Sequence, residues 1–372
     1  MFGRILVKWV MIASNIFAAT LMLIILIGSV LSPAKFVLPA YCTLAFPVII
    51  VVNIGFVVFW LLARKWLFLL SLSLLIFSAS EINNTCPVHL GDIKQEVDTD
   101  SGTFKLLSYN TRMCGNLKKH TAESHNKVIQ YAIDSNADII CLQEFTVSSN
   151  DEYLTMEDIN KAFAKYPYKH IQFRQKNNKE NGVATFSKYP IVNKRKINYP
   201  SAYNNSILSD ININGKIIRI INNHLESNRL TEYDKAMPIK LKNNWDTNKL
   251  TRVTRHFTNK LGTAYKIRAV QADIVASAIA NSPYKVIVCG DFNDVPSSYV
   301  YTKIKGSLRD AFAETGTGLG WTFNERYYHF RIDYVFFDPS AYSIIEYKTD
   351  KVKYSDHYPV LCQIKIYNDK NI

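Results

Sequence analysis

Glu144 closes the apolar run Asp138-Ile-Ile-Cys-Leu-Gln143, Asp291 and Asn293 follow a glycine in Gly290-Asp-Phe-Asn293, and Asp356 adjoins His357 in Ser355-Asp-His357. Asn110 ends Leu106-Leu-Ser-Tyr-Asn110, His224 lies in Asn222-Asn-His-Leu-Glu226, and Asp333 in Arg331-Ile-Asp-Tyr-Val-Phe336. These are the residue types that hydrolysis of a phosphodiester requires. A divalent cation must neutralise the phosphoryl oxygens, a base must orient the attacking water, and donors must meet the charge that builds on phosphorus. Mg²⁺ takes one or two carboxylates and keeps waters, so Glu144 is a sufficient anchor and Asn110 can add an amide oxygen. Gly290 lets the chain turn tightly, so that Asp291 and Asn293, two residues apart, reach one place. A histidine serves as base or donor once a carboxylate fixes its tautomer, and Asp333 is the partner available to His357. Any one of these residues is also what a strand-end turn uses. Their recurrence in one domain is what favours catalysis.

The elements that must hold them alternate in type. Strands are expected at 104–109, 138–143, 183–187, 217–222, 285–289, 332–337 and 360–366, with a helix at 124–135 and a helical tract over 231–280. Each chemical motif thus stands at a strand end, where an α/β fold presents side chains from a rigid frame. The polar tract from Glu226 to Lys266 is either a wall of a substrate cleft or decoration. The aromatic stretch Gly320-Trp-Thr-Phe323, with Tyr327 and Tyr328, reads as core packing or as a surface for a base or a lipid. Histidines outside the motifs, among them His120, His125 and His170, lie in polar segments and read as surface residues.

Residues 1–80 have another character. Apolar runs near 10–31, 38–62 and 66–80 read as a membrane anchor of about three helices, residues 81–103 as a solvated linker, and 104–368 as the catalytic domain. The first run is too long for a signal peptide's apolar core. The third, about 22 Å as a helix, is short against a hydrocarbon layer of roughly 30 Å. Arg4, Lys8 and the pair Arg64-Lys65 put the N-terminus and the second loop in the cytoplasm, so three crossings leave the catalytic domain outside. Were the third run only interfacial, the domain would be cytoplasmic. Of the net charge of +13, residues 101–372 carry +12, from 38 basic and 26 acidic side chains. That surface suits a polyanion or an anionic membrane, although its lysines are scattered rather than clustered. Cys141, Cys289 and Cys362 fall in strand-like runs and Cys42 in a span, Cys86 and Cys114 read as exposed, and no spacing describes a disulfide framework or a zinc site.

From Phe104 to about Ile366 the motifs Ser108-Tyr-Asn110, Leu142-Gln-Glu144, Asn223-His-Leu225, Gly290-Asp-Phe-Asn293, Arg331-Ile-Asp333 and Ser355-Asp-His357 occur in an order that resembles the endonuclease/exonuclease/phosphatase superfamily. The resemblance implies a deoxyribonuclease I-like four-layer α/β sandwich with its site at one edge of the sheets. It makes Glu144 the principal Mg²⁺ ligand (Mn²⁺ being the alternative), with Asn110 and Asp356 near the metal. It places His224 and His357 beside the scissile phosphate, Asp333 behind His357, and Asp291 and Asn293 on water and phosphate. Water would attack in line, without a covalent intermediate. The anchor followed by this domain resembles membrane-anchored bacterial members. The superfamily spans nucleases, inositol polyphosphate phosphatases and sphingomyelinases, so the site does not choose the substrate: the expected enzyme is a phosphodiesterase or nuclease acting on nucleic acid or a lipid head group, with a phospholipid or inositol-phosphate phosphoesterase as the alternative. A non-catalytic membrane scaffold of the same fold is the reading from another class. Its signature would be a missing site residue, and none is missing. No protein partner is inferable.

Overall fold

Phe104 and Leu106 face one way out of the first strand of the catalytic domain, and Leu107 and Tyr109 the other, and both sets are buried. The same alternation separates Ile139 and Cys141 from Ile140 and Leu142, and Ile287 and Cys289 from Val286 and Val288. Strands that are apolar on both faces need cover on both. In this computed structural model, which describes residues 2–89, 102–176, 179–201, 204–231, 233–234, 237, 247–325 and 328–367 of 372, they get it from a second sheet on one side and helices on the other.

One six-stranded sheet runs β13 (Tyr342–Thr349), β14 (Val360–Ile366), β1 (Thr103–Asn110), β2 (Ile139–Ser148), β4 (Lys179–Ser187), β3 (Tyr168–Lys176). The other runs β5 (Ile191–Ile197), β6 (Ser206–Ile213), β7 (Lys216–His224), β8 (Val286–Asp291), β12 (Asp333–Phe337), β9 (Arg309–Asp310). Phe104, Ile139, Ile220, Ile287, Val335 and Cys362 pack between the sheets. Helices α6 (Lys127–Asp134) and α7 (Met156–Ala162) cover the first sheet, and α8 (Thr247–Ala280) and α9 (Tyr299–Lys305) the second. The four layers implied by the resemblance are present. The pairs β1/β2 and β7/β8 are parallel, with helices α6 and α8 in the crossovers, so Asn110, His224 and Asp291 finish their strands at the same edge.

Before the sandwich, α1 (Phe2–Val30) packs against α2 (Leu38–Cys42) and α3 (Phe46–Leu62), and α4 (Phe68–Phe77) and α5 (Ala79–Thr85) follow. Pro39 and Pro47 each fall in the first turn of a helix, where no intrahelical donor is lost, so a 3₁₀ turn over Thr43–Ala45 joins α2 to α3. Among the described residues, two stretches, Ile5–Val30 and Leu38–Leu62, are long and apolar enough to cross a membrane. The third expected span is shorter than its sequence reading. Helix α4 has ten residues, Ser78 ends it, and α5 is polar. The expected linker at 81–103 begins inside α5, and residues 86–89 lie on the sandwich. Gly318 N–H donates to Pro87 O at 3.0 Å, and His89 Nε2 is 3.1 Å from Ala313 O. Residues 90–101 of that linker lie outside the described residues, as do most of 232–246 in the expected helical tract.

Candidate active site

Glu144 owes its position to a break in β2. Pairing with β4 slips between Leu142 and Phe145, and Glu144 takes a left-handed φ of 49°, a bulge that turns its side chain out of the strand's alternation. Thr111 Oγ1 donates to the carbonyls of Gln143 and Glu144 at 2.9 and 3.0 Å and clamps the bulge to the end of β1. Behind it, Gln143 Nε2 donates to Asn222 Oδ1 at 2.8 Å and ties the sheets together across the core.

The six residues from Arg112 to Leu117 all have φ between 46° and 66°, a left-handed turn that costs about 1–2 kcal/mol per non-glycine residue. Buried hydrogen bonds offset it. Thr111 Oγ1 accepts from Cys114 N at 3.2 Å, and Asn126 Nδ2 donates to Cys114 O at 2.8 Å. Cys114, expected to be exposed, is therefore buried inside this turn, and its thiol is pushed up to about 11, first by desolvation. The turn carries Arg112 to within 3.7 Å of Asp356 and 4.0 Å of Glu325. Arg112 was not among the residues expected at the site, and its only signal is that it follows Asn110 by two.

On the second sheet, Asp291 sits opposite both His224 on β7 and Asp333 on β12 in strand register. That packing demands Gly290. Its φ is 123°, and a Cβ there would lie 2.0 Å from the carbonyl oxygen of Asn223. Asp291 is gripped from three directions. Its Oδ1 accepts from Asn293 N–H at 2.8 Å, and its Oδ2 accepts from Asn293 Nδ2 at 3.1 Å and from Asn110 Nδ2 at 2.9 Å. Asn110 Oδ1 in turn accepts from Arg112 N–H at 3.2 Å, so this asparagine bridges the two sheets. His357 Nδ1 meets Asp333 Oδ2 at 2.8 Å, and its Nε2 lies 3.8 Å from Asp291 Oδ2. His224 Nε2 lies 3.8 Å from Glu144 Oε1 and 3.9 Å from Asp291 Oδ2. It is buried, and neither of its ring nitrogens has a hydrogen-bond partner among the described residues.

All eight residues singled out from the sequence, Asn110, Glu144, His224, Asp291, Asn293, Asp333, Asp356 and His357, thus gather where the two sheets end. Desolvation, then the charge of Asp356, raises the pKa of Glu144. Burial raises Asp291 as well, with Asp333 adding to it and His357 opposing. Burial would lower His357, yet Asp333 and Asp291 overcome this and bring it to about 10, so it carries a proton at neutral pH. Burial lowers His224 to about 3, with the charge of His357 acting the same way, so it is neutral. Asp291, Asp333 and His357 offer ligand atoms all within 4.8 Å of one another. Phe323 packs its ring on His357 at 5.0 Å, and Thr322 Oγ1 accepts from the N–H groups of Ile332 and Asp333 at 3.1 Å, so the aromatic stretch supports the site. His170 is buried rather than exposed, with Nδ1 2.9 Å from Ser209 Oγ.

The model of the Endonuclease/Exonuclease/phosphatase family matches residues 107–357, from β1 through His357. The chain belongs to this family. Its members are hydrolases acting on phosphoesters. Residues 8–85 match a second family model, a domain of unknown function (DUF8431). Among solved structures, the catalytic domain of human Nocturnin with bound sulfate is 17% identical, with a TM-score of 0.48 over 71% of this chain and 95% of that one. An endonuclease/exonuclease/phosphatase from Beutenbergia cavernae is 14% identical, with a TM-score of 0.47 over 71% and 72% of the two chains. One from Bacteroides vulgatus is 17% identical, with a TM-score of 0.45 over 72% and 100%. No curated protein matches.

Proposed function

We propose that this family member is a membrane-anchored phosphoric-ester hydrolase that cleaves phosphodiesters with a divalent cation and in-line attack by water. The observation that carries the reading is the meeting of Glu144, Asp356 and His357 from one sheet with Asp291, Asn293 and Asp333 from the other, Asp333 and His357 joined by a hydrogen bond across the two.

Glu144, Asp356 and the second lone pair of Asn110 Oδ1 are hard oxygen donors, and the pKa of Glu144, raised first by desolvation and then by the charge of Asp356, belongs to a carboxylate that a cation would stabilise. They fit Mg²⁺, with Mn²⁺ as the alternative. Asp291, Asp333 and His357 fit it less well, because His357 Nδ1 and Asp333 already satisfy each other. A bound cation supplies charge neutralisation on the phosphoryl and leaving oxygens. Asp291 takes the proton of the attacking water, and Asn293 fixes its carboxylate through both the backbone and the side-chain amide. Asp333 sets the tautomer of His357 and keeps it charged, leaving Nε2 to donate to a phosphoryl oxygen. His224, buried and without a hydrogen-bond partner among the described residues, gives a second, neutral donor to the same phosphate.

The anchor supports an extracytoplasmic catalytic domain. Tyr41 and Thr43, at the start of the second apolar stretch, touch Thr258 and Ser297, while Asn84, in the last turn of α5, and Pro87 just after it touch Arg331 and Gly318. Both ends therefore lie on one side, and the return is made by α4, roughly 15 Å at about 1.5 Å per residue, with the polar α5 leading back to the sandwich. Arg64 and Lys65 fall on the opposite side, where the positive-inside rule places the cytoplasm.

The test is product release by the full-length protein in detergent from DNA, RNA, phospholipid and inositol phosphate, with Mg²⁺, with chelator and as Glu144→Gln. Turnover that requires both the cation and Glu144 is expected. Turnover indifferent to either removes the proposal.

A further inference from the structure

Above its polar floor the site opens into a cleft of about 620 Å³ that carries an apolar stripe on one wall beside Ser227, Asn228 and Thr254. Val253, Phe257 and Leu261 stand four residues apart along α8, hence on one face, and all three are half-buried and line the cleft. Leu44 of the anchor and Phe330 and Ile332 line it as well. Leu44 belongs to the stretch Leu38–Leu62 that is long enough to cross a bilayer, so apolar surface continues from a candidate span to the floor. The junction is built. Tyr41 Oη donates to Thr258 O at 2.6 Å, its ring meets Tyr265 edge-on at 5.6 Å, and Ser297 Oγ donates to Thr43 O at 3.0 Å.

Charge points the same way. Among the described residues that line the cleft, Arg268 is paired with Asp294 at 3.2 Å, Arg229 with Glu226, and His357 with Asp333. Each cation there already has its anion. A nucleic-acid strand brings a phosphate with every nucleotide and needs a track of free positive charge. An amphiphile brings one phosphate for the floor and a hydrocarbon chain for the wall.

We propose that the substrate is a membrane lipid phosphodiester, its phosphate on the floor and its first methylenes against Val253, Phe257 and Leu261. This rests on the hydrolase reading above. The water oxygen bonds to phosphorus as the P–O bond to the leaving alkoxide breaks. The water's proton passes to Asp291, which gives it up to solvent, and the alkoxide takes a proton from solvent water to become an alcohol, leaving a phosphoric monoester.

The experiment is the rate of full-length protein with Mg²⁺ on p-nitrophenyl alkyl phosphates, methyl against dodecyl, below the micelle threshold, with single-stranded oligonucleotides as a further arm. A fully buried methylene is worth about fourfold at ~0.8 kcal/mol, so kcat/KM is expected to rise at least tenfold from methyl to dodecyl. Phe257→Asp is expected to cut the dodecyl-to-methyl ratio at least tenfold, and Leu261→Asn gives the same reading should the aspartate fail to fold. Equal rates on both probes, a ratio untouched by either variant, or faster cleavage of oligonucleotide would overturn the proposal while leaving the hydrolase intact. No cleavage of any probe would overturn both.

Discussion

The floor and the wall of the cleft are made differently. On the floor, Asp291, Asp333, His224 and His357 are at most 5% exposed, end strands or adjoin them, and are fixed by the register of two sheets. Left-handed backbone at Glu144 and Asn293 and a glycine at 290 that tolerates no Cβ show how little freedom remains there. The wall takes Val253, Phe257 and Leu261 from a helix, Leu44 from the N-terminal helical region and Phe330 from the short strand Tyr328–Phe330, most of them half-exposed. Buried carboxylates with raised pKa values cost stability and serve chemistry, whereas a half-exposed apolar face can change with little effect on folding and serves choice of substrate.

The largest effect belongs to the floor. Asp291→Asn is expected to lower turnover of a phosphodiester about 10³-fold, the scale of a lost base. Its melting temperature should stay level or rise, because a buried carboxylate beside Asp333 has been neutralised. A melting temperature that collapses with activity would make Asp291 structural.

Beneath both regions, burial lowers the pKa of His170 to about 4. The folded state thus binds fewer protons than the unfolded state, whose histidine titrates at ~6.5. Its contribution is complete above pH ~6.5 and is lost as pH falls to about 4, a change of about 3 kcal/mol. Denaturant titrations across that window should show the loss in wild type and a shallower one in His170→Gln. Equal slopes would contradict the buried neutral imidazole.

Cation binding should stabilise the floor. Mg²⁺ at a hundredfold its Kd is worth about 2.7 kcal/mol, visible by calorimetry in wild type and absent in Glu144→Gln. The same gain in both would move the ion elsewhere. The smallest effect belongs to the wall, where Phe257→Asp should change stability by less than about 1 kcal/mol, since its ring is only half-buried. A larger loss would make the α8 stripe core rather than cleft.

The contrast also explains what the sequence disclosed. Each floor residue sits in a short motif against an apolar run, so strand, end and side chain are read together. Glu144 was legible as a strand-end carboxylate, but the bulge that aims it was not, because a register slip depends on β4. Arg112 and the buried Cys114 were hidden in a left-handed turn that no propensity favours. His170 looked like a surface residue among polar neighbours until β3 took its place beside β4 and turned its ring inward. β5 escaped notice because Asn193, Lys194, Arg195 and Lys196 hide its alternation, as suits an edge strand. The wall was beyond reach for another reason. Leu44, Phe257 and Phe330 are far apart in the chain, and the docking of the N-terminal helices against α8 brings them to one cleft.

The most direct test of the account is the initial rate of the full-length protein on bis(p-nitrophenyl) phosphate, which has no hydrocarbon chain, with Mg²⁺, with excess chelator, and for Asp291→Asn. Release of p-nitrophenol that falls at least a hundredfold both on chelation and in the variant is the predicted result. A rate unchanged by chelator and by Asp291→Asn would contradict a cation-assisted floor at the end of the two sheets.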